Sequence, residues 1–210
     1  MYVAGMGRSI AASLAVVAAL WVSAPSRGDA CGNAVLATEK IVAAVKDAEK
    51  MLDDGNPAEG RRLIVEALGD ADEIEPDTAL NRGLTDRARR IQALATIRLD
   101  ADGARGEYRK ARFAIAVGTL KMLSKADPDN VAKQTDLAEA LVKTWPVEAR
   151  KRLTSLAERD LLTTPYAYAA LARLRAEGGD TRGRDEALAR CKLMAKVETI
   201  CKLEQPRQKS

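Results

Sequence analysis

Histidine is missing from all 210 residues. That removes the commonest general base and proton shuttle, and with it zinc, haem and catalytic-triad chemistry in their usual forms. Aromatic side chains make up 3% of the chain, too few for a platform that stacks nucleic-acid bases. Charge of one sign is lacking as well. Against 34 basic residues stand 30 acidic ones, interleaved, and this balance does not suit a dedicated nucleic-acid binder. No β-branched run alternates with period two, so strands are not expected. Walker loops, Gly-x-Ser-x-Gly, Ser-x-x-Lys and His-Glu-x-x-His are all absent. No cofactor site and no metal site is expected.

What is present begins with a targeting pattern. A short basic region ends at Arg8, and Ser9 to Val22 then carries no charge and is rich in Ala, Val and Leu. Fourteen such residues suit the core of a signal peptide and fall short of the roughly twenty needed to span a bilayer. Small residues at Gly28 and Ala30 form an A-x-A-like site, with cleavage expected after Ala30 and Cys31 as the first mature residue. Two alternatives stay open: an uncleaved anchor, and a lipoprotein modified at Cys31. The lipobox fit is poor, because Gly28 stands where Leu or Val is usual. The expected organisation is a signal peptide over 1–30, one helical domain over 31–202 and a flexible tail over 203–210. Subtracting Arg8, Arg27 and Asp29 leaves 32 basic and 29 acidic residues, a net charge near +3.

The mature region is rich in Ala, Leu, Arg, Glu and Lys, the strong helix formers. Prolines punctuate it. Pro57, Pro76, Pro128, Pro146 and Pro165 read as helix starts, several behind a capping residue such as Asn56, Asp127 or Thr164. Apolar spacing between them predicts eight helices. Their approximate spans are 35–53, 58–69, 77–99, 106–126, 129–144, 147–162, 166–177 and 181–197. Gly55-Asn56-Pro57, Asp102 to Gly106 and Gly178-Gly179-Asp180 separate neighbours. In the fourth helix the expected buried stripe is Tyr108, Ala111, Ile115, Gly118 and Met122. The fold class is therefore all-α.

Four hairpins with a half-period near 18 residues resemble degenerate tetratricopeptide repeats, whose unit is about 34 residues. The small position early in each second helix falls on Gly60, Ala111, Ala149 and Ala187. Four residues later stand Ile64, Ile115, Leu153 and Cys191. Asp127-Pro128-Asp129-Asn130 is similar to the turn linking one such repeat to the next. The Trp, Leu-Gly and Tyr signature of the first helix is missing, and the second hairpin is too long. The resemblance covers about residues 35 to 195. It implies a right-handed α-hairpin solenoid of about four helix pairs, with a concave face that holds a protein or peptide.

Three cysteines remain, Cys31, Cys191 and Cys201. Cys191 and Cys201 would lie about 15 Å apart on one continuous helix, so a bridge between them requires a helix end near Lys196 to Thr199. Pairing through Cys31, lipidation and free thiols are the alternatives. Arg87, Arg90, Arg109 and Arg112 are candidates for an electropositive partner-binding groove, and Tyr166 and Tyr168 for aromatic anchors. Solvated faces and core packing are the plain readings of both sets.

The function expected is a non-catalytic protein-protein interaction or scaffolding module in the bacterial envelope, periplasmic or secreted. Its partner is a protein or peptide, not nucleic acid, and a membrane enters only through a lipidated Cys31 or an uncleaved signal. The alternatives are a lipid-anchored envelope assembly factor, and a helical glycan-acting enzyme using carboxylates. Glu39, Glu49, Glu59, Glu66, Glu107, Glu139 and Glu158 are its candidates, of which two would have to lie about 5 to 9 Å apart in a cleft.

Overall fold

The computed structural model describes residues 27–69, 79–99 and 106–203. Every regular element among them is helical: α1 (Arg27–Asp53), α2 (Pro57–Gly69), α3 (Ala79–Leu99), α4 (Glu107–Ala126), α5 (Val131–Leu141), α6 (Pro146–Glu158), α7 (Pro165–Glu177) and α8 (Thr181–Met194). A 3-10 turn, Glu198–Cys201, follows. The leader 1–26, the acidic connector 70–78 and the tail 204–210 lie outside the described residues. So does most of the break expected at Asp102–Gly106. Ala30 and Cys31 fall within the backbone of α1, but their side chains also lie outside the description.

Local chemistry sets the boundaries. Pro146 and Pro165 occupy the first helical position of α6 and α7, where a missing N–H costs nothing. Asn130, Thr164 and Asp180 each accept a hydrogen bond from a backbone N–H three residues on, capping α5, α7 and α8. Gly55 takes a left-handed φ of 76° to turn α1 into α2. Helix α1 starts upstream of the expected Val35, since no proline interrupts the chain between Arg27 and Asn56. Helices α5, α6 and α8 end sooner than expected. Asp160 at φ 55° ends the turn after α6, and extended Ala195 stops α8.

Each helix packs against the next in sequence, and α1, α3, α5 and α7 also touch in that order. Among the described residues the even-numbered helices do not touch one another. The odd helices thus form an inner ridge and the even ones an outer layer. Helix α5 is its centre: every residue from Thr135 to Leu141 is buried. Three of the four small positions are buried or closely packed. A Cβ on Gly60 would come within 3.0 Å of the Ala48 carbonyl oxygen, and Ala149 and Ala187 are buried where helices approach.

Helix α4 departs from expectation. Its buried residues are Phe113, Ala116, Val117, Leu120, Leu123 and Ser124, while Tyr108, Ala111, Ile115, Gly118 and Met122 face solvent. The helix is apolar on two faces, and the register copied from the other hairpins selects the wrong one. Ala116 and Leu120, a small residue followed four later by a bulky one, take the inner positions instead.

Candidate functional site: the odd-helix ridge

The inner ridge carries charges where a helical core would ordinarily be apolar. Arg87, Arg90 and Arg98 share one face of α3, because steps of three and eleven return to the same side of a helix. Asp136 and Glu139, three apart on α5, face them. Arg98 donates from Nε and Nη2 to the two oxygens of Glu139 at 2.9 and 3.1 Å, and both side chains are buried. Arg90 donates in the same two-pronged way to Asp136, whose side chain is fully buried. Arg87 reaches Glu49 of α1 at 2.6 Å. The Arg98 guanidinium lies 3.8 Å above the ring of Tyr166 on α7. One ladder of ion pairs and a cation–π contact therefore runs from α1 to α7.

Burial drives the titration of these groups. It pushes the Asp136 carboxyl above its ordinary range, against the pull of Arg90. It works against the Arg98 cation too, but there the charge and hydrogen bonds of Glu139 prevail, so the guanidinium is held protonated. The Tyr166 phenol is also raised by burial and stays neutral.

Beside the ladder opens a cavity of about 330 Å³. Ile97, Phe113, Ala140, Val142 and Ala170 give it an apolar lining, and Lys143, Arg173 and Lys202 bring cations to it. Arg173 and Lys202 have no acidic partner among the described residues. Among the described residues Glu139 is the one acid that lines the cavity, and Arg98 occupies both its oxygens.

The far wall is the C-terminal segment. After α8 the chain folds back, and the Cys191–Cys201 disulfide, with Cα atoms 5.9 Å apart, ties the return to the last helix. Thr199, Ile200, Lys202 and Leu203 then line the cavity. The same segment reaches the other end of the ridge: Lys196 Nζ donates to Asp54 at 3.0 Å, and Val197 and Ile200 pack over Gly55. It is a strap joining the last hairpin to the first. Leu203, expected as the first residue of a flexible tail, is packed against the core.

No protein-family model matches the chain, and neither a characterised protein nor a solved structure does. The site has to be read from its own residues.

The candidate partner-binding residues do not form one surface. Arg87 and Arg90 are engaged by acids on the ridge, whereas Arg109 and Arg112 belong to α4. Arg112 stacks over Tyr108 at 5.0 Å. Tyr166 lines the cavity, while Tyr168, two residues on, is buried on the α8 side with its hydroxyl 3.4 Å from Asp160. Among the candidate carboxylates, Glu59 and Glu66 share Arg62, Glu107 pairs with Lys110, and Glu39 and Glu158 are exposed. Among the described residues no group of three metal-ligating side chains is found. No described helix is long and apolar enough to cross a membrane. Sequence reasoning missed Arg98, Asp136 and Arg173. The available signal was two acids three apart in the short helix α5, with Arg90 and Arg98 eight apart, about two turns, on α3.

Proposed function

We propose that this chain is an exported, tetratricopeptide-like array of helical hairpins that holds an acidic peptide segment of a partner protein on its odd-helix face. The cavity between α3, α5, α7 and the strap carries this reading, because Arg173 and Lys202 there have no acidic partner among the described residues. Its apolar lining would take a side chain of the peptide, and Arg173 and Lys202 would meet its carboxylates. The alternation of inner and outer helices supports a stack of helical hairpins, since such hairpins bury their faces against neighbours. A binding role is favoured over hydrolysis because Glu139, the one acid among the described lining residues, already has both oxygens hydrogen-bonded to Arg98.

The test is a photo-crosslinking residue placed at Ala169 in the cavity and, separately, at exposed Ala189 on α8. In cells exporting the protein, Ala169 should give a discrete adduct that Arg173→Glu abolishes, and Ala189 should not. Equal adducts from both positions, or adducts unaffected by Arg173→Glu, would refute the assignment. Mass spectrometry of the mature N-terminus decides export and lipidation: a free or modified Cys31 at the start supports cleavage after Ala30, and an intact Met1 opposes it.

A further inference from the structure

The solvent face of α4 is unlike the rest of the outer layer. Tyr108, Ile115 and Met122 follow one another at seven-residue steps and are 74%, 69% and 53% exposed. Small Ala111, Ala114 and Gly118 lie between them, and nothing stands within 4 Å of where a Cβ on Gly118 would be. Next to this stripe stands Trp145, the exposed residue that caps α6, and Val147, in the first turn of α6, is 84% exposed. Phe113, Ala114, Val117, Gly118 and Trp145 line a groove of about 450 Å³ edged by lysines 110, 121 and 143.

Helical periodicity puts cations on both flanks of the stripe: Arg112 on one side, Lys121 and Lys125 on the other, with Lys110 about three turns before Lys121 on that same side. The one acid of α4, Glu107, is paired with Lys110. The Nε of Arg112 is buried with no hydrogen-bond partner among the described residues. An apolar stripe bordered on both sides by basic residues, with Trp and Tyr beside it, is the pattern of a helix lying in a lipid interface. A second copy of this face would bring cations against cations. A single acidic helix would match one flank better than two. The geometry points to α4 and the start of α6 at Trp145 as a docking face for an anionic lipid bilayer, needing neither a lipidated Cys31 nor an uncleaved signal.

The test uses the full chain with Trp21→Phe, leaving Trp145 as its sole tryptophan. Vesicles of phosphatidylglycerol mixed with phosphatidylcholine should shift Trp145 emission to the blue and allow brominated lipid to quench it. Phosphatidylcholine alone should do neither, and added salt should weaken the effect. Ile115→Ser with Met122→Ser, and separately Lys110→Gln with Lys121→Gln, should each lower vesicle affinity at least tenfold. Their thermal melts should match the parent, because the altered side chains are exposed. Every variant keeps the same N-terminal segment, so any binding through residues 9–22 is common to all. Unquenched Trp145, or unchanged affinity in both variants, would overturn the proposal. So would a blue shift that follows protein concentration without vesicles, which assigns the face to a second copy. An equal shift on adding an acidic helical peptide would assign it to a protein.

Discussion

At the residue scale, the buried ion pairs dominate. Removing two charges from water costs more than an exposed pair can return, so Arg98 and Glu139 hold together only because each satisfies the other. Glu139→Gln should destabilise the fold by about 3–5 kcal/mol by leaving the Arg98 charge uncompensated. Replacing both with leucine should recover most of that loss, and chemical denaturation of the two single variants and the double variant measures it. A double variant as unstable as the worse single would refute the account. Two aspartates should titrate in opposite directions. Asp127 is held below its ordinary range by hydrogen bonds from Lys133 and Asn130. Its contribution to stability is present above the unfolded value of about 3.9 and lost as pH falls through the depressed folded value. Asp136 is raised by burial, so its contribution is full below the unfolded value and is lost as pH rises through the folded one. Carbon NMR of the carboxyl groups should place the Asp136 midpoint above that of a free aspartate and the Asp127 midpoint below it.

Among the elements, α4 gives the sharpest contrast. Leu120 is buried and should cost about 2–5 kcal/mol as alanine. Ile115→Ala, at an exposed position, should change stability by less than about 0.5 kcal/mol. Reversed values from urea melts would restore the register in which Ile115 is the inner residue. The helices themselves were legible because prolines, caps and glycines act locally, and Pro57, Pro146, Pro165 and Gly55 stand at or beside boundaries in the structure. Faces were legible where a helix has one apolar side: Leu84, Ala88, Ile91 and Ala95 of α3 recur at steps of three or four and are all buried. In α4 two apolar stripes compete, and only tertiary packing decides between them. The ladder was hidden for a related reason. Arg98 and Glu139 are 41 residues apart, and nothing local distinguishes a charge that will be buried from one that will be solvated.

For the whole molecule, the question is what keeps the two ends of the ridge in register. An open array of hairpins contacts only its neighbours, so its ends are normally coupled through every unit between them. Here the strap adds a direct link, since Lys196 and Val197 meet the turn between α1 and α2 while Cys201 is bound to α8. Two roles can be separated. If the disulfide served only the last helix, reducing it would loosen α8 and the strap and leave the first hairpin untouched. If the strap joins the ends, reduction should also increase deuterium uptake at residues 53 to 57, some 140 positions away in sequence. Closing a ten-residue loop is worth about 3 kcal/mol in chain entropy, so a Cys191→Ser, Cys201→Ser variant should lose about that much stability. Asp54→Asn keeps the disulfide and weakens only the far contact. It should raise uptake at the α1–α2 turn without affecting α8, whereas a turn equally protected in parent, reduced and Asp54→Asn proteins would show that the strap does not couple the ends. Because Thr199, Ile200 and Lys202 also wall the cavity, the reduced protein should lose affinity for any ligand of that cavity, and the Asp54→Asn protein should retain most of it.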